Sequence, residues 1–266
     1  MPGRPPKQFC ALLSSEPLLI ETRRRVQLLI SPEHTLAVVT QSHQRFYHPL
    51  LADIPTRSIV VQPANRETAT AILYGLTRLR KRFDDGIVTI FPSDHHVDSA
   101  QAFMNHVLAA SNAIETCKDK VVILGAPATG PETAYGWIEP GGHVGLSPLR
   151  RVRTFCEKPT PEKAQTLWQA GCLWNTFVSI GRLSTLLSLM SSALPDLCEA
   201  FRSIDDCFGT SDEDESVELL YGRIDRTDFS KQALAPNPES LAVYALTGVE
   251  WSDIGEIERL RRVVRE

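Results

Sequence analysis

Short apolar runs rich in β-branched residues alternate, through the first half of the chain, with segments whose apolar residues recur at helical spacing. Residues 36–40, 58–61, 87–91 and 121–124 read as buried strands bounded by turn formers. Between them Thr68, Ile72, Leu76 and Leu79 share one helical face, as do Phe103, Val107, Ala110 and Ile114. A strand–helix–strand–helix order predicts an α/β fold: a Rossmann-like mixed, mostly parallel sheet with helices on both faces. Ligands of such sheets lie beyond the carboxyl ends of the strands.

The second half is more varied. Residues 135–139 and 152–157 read as strands, 161–170 as a helix, 172–180 as another strand, and 183–194 as a helix stopped by Pro195. The stretch 209–216 is acidic and aperiodic and reads as a solvated loop. A strand near 241–245 and a helix over 256–264 close the chain. Without an internal repeat or a long linker, residues 1–266 are expected to form a single domain.

Composition removes several classes of function. The 266 residues carry a formal charge of −4, and with 42% hydrophobic and 23% charged residues they can bury a real core. No long Lys/Arg run provides a footprint for nucleic acid. No apolar run approaches the ~18 residues of a membrane span, and Met1-Pro2-Gly3-Arg4-Pro5-Pro6-Lys7 is no secretory signal, so a cytoplasmic location is expected. The six cysteines are scattered without a C-x-x-C pair, which predicts reduced thiols and neither a zinc site nor a disulfide framework.

Three segments place charge just after a strand. In Pro92-Ser93-Asp94-His95-His96 the carboxylate of Asp94 stands at the sheet edge, where it can share Mg²⁺ with substrate phosphates or cap the next helix. The adjacent His95 and His96 point in opposite directions and read as structural. Asp253, in Trp251-Ser252-Asp253-Ile254-Gly255, taken alone is a helix N-cap. Glu157 and Lys158, in Phe155-Cys156-Glu157-Lys158-Pro159, taken alone are a surface ion pair of about 0–1 kcal/mol.

The order of the motifs says more than any one of them. Pro6-Lys7-Gln8-Phe9, Gln62-Pro63-Ala64-Asn65-Arg66-Glu67-Thr68-Ala69, Pro92-Ser93-Asp94-His95, Pro131-Glu132-Thr133-Ala134-Tyr135-Gly136-Trp137-Ile138-Glu139, Phe155-Cys156-Glu157-Lys158-Pro159, Trp174-Asn175-Thr176 and Trp251-Ser252-Asp253-Ile254-Gly255 follow one another. In that order they resemble the sugar-1-phosphate nucleotidyltransferases, and most closely the mannose-1-phosphate guanylyltransferases. The resemblance runs from about Lys7 to the C-terminus.

It implies attack of a sugar 1-phosphate oxygen on the α-phosphorus of GTP, with pyrophosphate leaving. By resemblance Asp94 and Asp253 hold Mg²⁺ against the phosphates, Lys7 meets the triphosphate or leaving group, and Lys158 orients the sugar phosphate. Gln62, Arg66 and Thr68 fall in the base-recognition loop, and Ser93 lies on the nucleotide side. Gly136, Glu139, Glu157 and Asn175 fall where the family contacts the sugar.

One departure stands out. Family members place a buried strand and a glycine-rich loop of the pattern L-A-G-G-x-G-T-R-L-x-P shortly before P-K-Q-F, whereas six residues precede Lys7 here. That strand is central in a sheet of 3-2-1-4 order, so this chain is expected either to fold poorly or to pair its second and fourth strands across a gap. A start upstream of Met1 is the favoured explanation, and a decayed homologue the other. The competing functions are a non-catalytic sugar-phosphate-binding homologue and a transferase for another sugar 1-phosphate or nucleotide.

Overall fold

In the computed structural model, which describes residues 5–254, the expected alternation is present. A 3-10 turn Lys7–Phe9 precedes α1 (Leu18–Gln27), β1 (Ala37–Thr40), α2 (Gln44–Leu50), β2 (Ile59–Gln62), α3 (Glu67–Arg80), β3 (Ile87–Ile90), β4 (His96–Val97), α4 (Ala100–Ala113) and β5 (Val121–Pro127). There follow β6 (Gly136–His143), β7 (Arg150–Glu157), α5 (Pro161–Gln169), β8 (Leu173–Arg182), α6 (Leu183–Ala193), α7 (Pro195–Arg202), α8 (Glu213–Tyr221), a π-helical turn Ser230–Leu234, β9 (Leu241–Ala245) and β10 (Trp251–Ser252). The helix expected over 256–264 lies outside the described residues.

β5 shows why the strands read as continuous apolar runs. Val121 and Ile123 join one core with α3, α6, α7 and α8, while Val122 and Leu124 join a second core with α4 and α5. Both faces of the strand are covered, so polar residues have no face to occupy. Helix ends follow local chemistry. Ser99 caps α4 by accepting from the Ala102 N–H, Thr160 caps α5, and Pro195 sits at the first turn of α7 as α6 ends.

The mixed α/β class holds, with a different balance of strand directions from the one expected. The main sheet has the order β3-β8-β5-β9-β7-β6, and in it only β5–β9 is parallel. The reason is that β8 runs antiparallel between β3 and β5, while β6 and β7 form a hairpin. The parallel pair β1–β2 stands apart. No second-to-fourth strand pairing across a gap forms among the described residues, since β1 bonds β2 and β3 bonds β8.

The acidic stretch is only partly a loop. α8 begins at Glu213, with Asp214 and Glu215 also in its first turn, where the helix dipole favours acidic side chains. Glu213 is further held by Arg78, by the Tyr74 hydroxyl at 2.8 Å and by the Gly209 N–H at 2.8 Å. Among the described residues, no helix is long and apolar enough to cross a membrane.

Candidate active site

A two-residue ladder brings the distant aspartates together. β4 and β10 pair antiparallel with Trp251 opposite Val97 and Ser252 opposite His96. Just beyond this ladder the carboxylates of Asp94 and Asp253 both act on the ring of His95. Asp94 therefore serves at this junction and not as a cap, since α4 is capped by Ser99.

Lys7 closes the junction. Its ammonium lies 3.1 Å from Asp94 Oδ2 and donates to the backbone carbonyl of Asp253. The turn carrying it is anchored by Phe9, whose ring stacks on Phe46 at 5.7 Å, and by the Leu18 N–H donating to the Cys10 carbonyl. His95 lies behind the carboxylates, its Nε2 3.7 Å from Asp94 Oδ1 and its ring edge-on to Trp251. Burial pushes its pKa down to about 4, against the opposing pull of the Asp94 carboxylate, so the ring is neutral near pH 7.

A second group of residues surrounds Gly136. In the ladder Gly136 stands opposite Glu157 on β7, and the Trp137–Trp174 pairing brings Asn175 of β8 to its other side. A Cβ at residue 136 would lie 2.6 Å from Glu157 Oε2 and 3.2 Å from both Asn175 Cβ and Phe155 Cζ, so the close approach requires glycine. Glu157 forms no surface ion pair with Lys158. Its carboxyl is pushed up to about 7, first by burial and then by the Asp228 carboxylate, with Lys158 acting in the opposite direction. Asn175 Oδ1 accepts from the Phe177 N–H at 2.9 Å, which fixes the bend where β8 leaves regular register.

The residues of the expected base-recognition loop have partners of their own. Gln62 ends β2 buried, its Oε1 accepting from the Tyr221 hydroxyl at 3.1 Å. Arg66 Nε donates to the Tyr221 carbonyl at 2.8 Å, and Thr68 Oγ1 accepts from the Phe229 N–H at 2.8 Å. Ser93 lies half-buried in the bend between β3 and β4. Glu139 is not brought to the Gly136 cluster. Three residues along β6, it faces the other side of the sheet and pairs with Arg153 at 2.7 Å.

Backbone strain marks the same places. The described non-glycine residues with positive φ are Glu67 (68°), Lys158 (48°), Phe177 (64°) and Ile254 (48°), each within or directly after one of the motifs. Such conformations cost about 1–3 kcal/mol and cluster at functional sites. Sequence reading passed over Asp228, Tyr221 and Tyr135. The first two carry no local pattern, whereas Tyr135 directly precedes Gly136 in a motif. The Tyr135 hydroxyl donates to Asp253 Oδ1 at 3.1 Å.

The donor set suits a hard cation. The Lys7 ammonium meets the Asp94 carboxylate and the Asp253 backbone carbonyl, and the Asp253 carboxylate accepts from the Tyr135 hydroxyl beside them. No cluster of three His, Cys, Asp or Glu placed for a metal occurs among the described residues. An ion held here would complete its shell with substrate oxygens and water, as Mg²⁺ does.

Comparison with known proteins shows which family the chain is similar to. A family model described as nucleotidyl transferase matches residues 3–266. The alginate biosynthesis protein AlgA of Pseudomonas aeruginosa is 30% identical over 192 residues, covering 68% of this chain and 38% of AlgA. A mannose-1-phosphate guanylyltransferase of Sinorhizobium fredii is 28% identical over 204 residues, covering 73% and 38%. The chain thus spans about two-fifths of the length of the curated relatives it matches. The crystal structure of a mannose-1-phosphate geranyltransferase from Thermus thermophilus superposes with TM-score 0.86 at 27% identity, over 98% of this chain and 73% of that one. UDP-glucose pyrophosphorylase complexed with UDP-glucose shares the fold at TM-score 0.59 and 12% identity, over 98% and 89%.

Proposed function

Because the chain belongs to the nucleotidyl transferase family, we propose that it transfers a guanylyl group from GTP to mannose 1-phosphate, giving GDP-mannose and pyrophosphate. The observation that carries this reading is the meeting of Asp94 and Asp253 around Lys7, with Lys158 and the Gly136–Glu157–Asn175 group on the neighbouring strands. Relatives named for mannose 1-phosphate support the choice of sugar and nucleotide.

An oxygen of the sugar phosphate forms a bond to the α-phosphorus as the bond from that phosphorus to the pyrophosphate oxygen breaks. The nucleophile is already ionised, so no general base is needed. Asp94 and Asp253 would hold Mg²⁺, which neutralises charge developing on the phosphates. Lys158 would orient the attacking oxygen, and Lys7 would face the leaving group once it exchanges its present carboxylate partner for phosphate. Glu157 and Asn175 would receive the sugar hydroxyls.

Pyrophosphate release from GTP and mannose 1-phosphate with Mg²⁺ tests this, run beside other nucleotides and hexose 1-phosphates. Faster turnover with another pair would reassign the substrates. A non-catalytic sugar-phosphate-binding function is favoured by one observation, the engagement of the Gln62, Arg66 and Thr68 side chains within the fold. Calorimetric binding of mannose 1-phosphate without any turnover would select it.

A further inference from the structure

Tyr135 touches both halves of the site. Its hydroxyl donates to Asp253 Oδ1 at 3.1 Å, and its backbone carbonyl accepts the Lys158 N–H at 3.1 Å. The ring is buried, edge-on to Trp174 at 5.0 Å and tilted against Trp251 at 5.2 Å. Trp251 belongs to β10 and precedes Asp253 by two residues, and it also packs against the ring of His95. Phenylalanine would keep these ring contacts and lose the hydroxyl bonded to Asp253. Lys158, at the other end, occupies a left-handed conformation that a side-chain-bearing residue adopts only under constraint. Its N–H bond to Tyr135 is one of those constraints.

We propose that Tyr135 is a positioning residue: its hydroxyl aims the Asp253 carboxylate at the divalent cation, while its backbone holds Lys158 for the sugar phosphate. This rests on the transferase reading of the site. A packed hydroxyl holding one oxygen of a carboxylate restricts the orientation of the whole group, and outer partners of metal ligands are typically worth 10–100-fold in affinity. The Lys7 contact grips Asp253 by its backbone carbonyl and leaves the aim of the carboxylate to be set by side-chain partners such as Tyr135.

Tyr135→Phe separates the two roles, because it deletes the hydroxyl and keeps the carbonyl. Mn²⁺ binding to the protein in the presence of GTP, read by electron paramagnetic resonance without sugar phosphate, is expected to weaken about tenfold. The Mg²⁺ concentration giving half-maximal pyrophosphate release should rise by a similar factor, and KM for mannose 1-phosphate should stay within about twofold. Unchanged Mn²⁺ affinity, or a sugar-phosphate defect as large as the metal defect, would overturn the assignment. Should Tyr135→Phe not fold, Tyr135→Met also removes the hydroxyl while filling the space and carries the same expectation. Wild-type protein that binds Mn²⁺ with GTP yet releases no pyrophosphate would sink the transferase reading, while the Mn²⁺ measurement still decides the role of Tyr135. Wild-type protein that binds no Mn²⁺ with GTP would overturn both.

Discussion

On the side proposed for the sugar phosphate, Gly136, Glu157 and Asn175 stand on three hydrogen-bonded strands, with Gly136 opposite Glu157 in the ladder. On the side proposed for the nucleotide, Gln62, Arg66 and Thr68 occupy the end of β2 and the start of α3, and all three side chains are bonded to Tyr221 or Phe229. The first group is placed by backbone ladders, and of its side chains Asn175 also accepts from the Phe177 N–H, a bond local to its own strand. The second helps to hold the fold: Thr227 accepts from the Ala69 N–H and donates to the Arg66 carbonyl, and Arg226 pairs with Glu67. Recognition of a base here would therefore fall more to backbone groups, or require those side chains to change partners.

The junction between the two sides should show the largest effect. Asp253→Asn keeps the size and the backbone carbonyl but removes the charge, and turnover is expected to fall by about 10³-fold or more with the thermal midpoint nearly unchanged. A variant with full activity would reduce Asp253 to a structural role. Lys158→Ala should raise KM for mannose 1-phosphate by about 10²-fold while hardly moving KM for GTP. An equal loss on the nucleotide side would erase the distinction between the halves.

Gly136→Ala probes the strand-mounted side directly. The new methyl carbon meets Glu157 Oε2 at 2.6 Å, which the carboxylate can relieve by rotating, but Asn175 and Phe155 at 3.2 Å have less freedom. The expected result is about 1–2 kcal/mol of destabilisation in chemical unfolding and a rise of about tenfold in KM for the sugar phosphate. Arg66→Ala is the counterpart on the other side. It should cost about 1 kcal/mol of stability through the lost bond to the Tyr221 carbonyl and change KM for GTP less than threefold. A large nucleotide defect without destabilisation would show that Arg66 leaves Tyr221 when substrate binds.

These contrasts also explain how much the sequence could disclose. β5 and α3 were legible because a doubly covered strand and an amphipathic helix each impose a period. The direction of β8 was not, because an apolar run carries no sign of which way it enters a sheet, and antiparallel β8 changes the balance of the whole sheet. Asp94 and Asp253 became interpretable only through the ordered set of motifs; what joins them is a two-residue ladder too short to have a pattern. Glu139 shares a motif with Gly136, yet period-two alternation sends it to the opposite face, where it pairs with Arg153. Asp228 lies between elements, and its effect on Glu157 depends on tertiary distance alone.

The last expected effect is one of pH and concerns the proton on Glu157. Its carboxyl rises from 4.5 to about 7, so between those values the folded protein binds more protons than the unfolded chain. Stability from this group is therefore present below about pH 4.5, is lost as the pH climbs through that window, and stays lost above it. Glu157→Gln removes the penalty, so its unfolding free energy relative to wild type should increase from pH 4.5 to 7 and level off beyond. Asp228→Asn should move the Glu157 midpoint down without restoring its ordinary value, because burial is the larger cause and the Lys158 ammonium opposes it only in part. Nuclear magnetic resonance titration of the Glu157 carboxyl reads this directly, and a midpoint unmoved in Asp228→Asn would remove Asp228 from the sugar-phosphate side. As Glu157 ionises above pH 7, repulsion of the sugar phosphate should raise its KM a few-fold, about 1 kcal/mol at most. Asp228→Asn should shift that rise to lower pH in step with the midpoint.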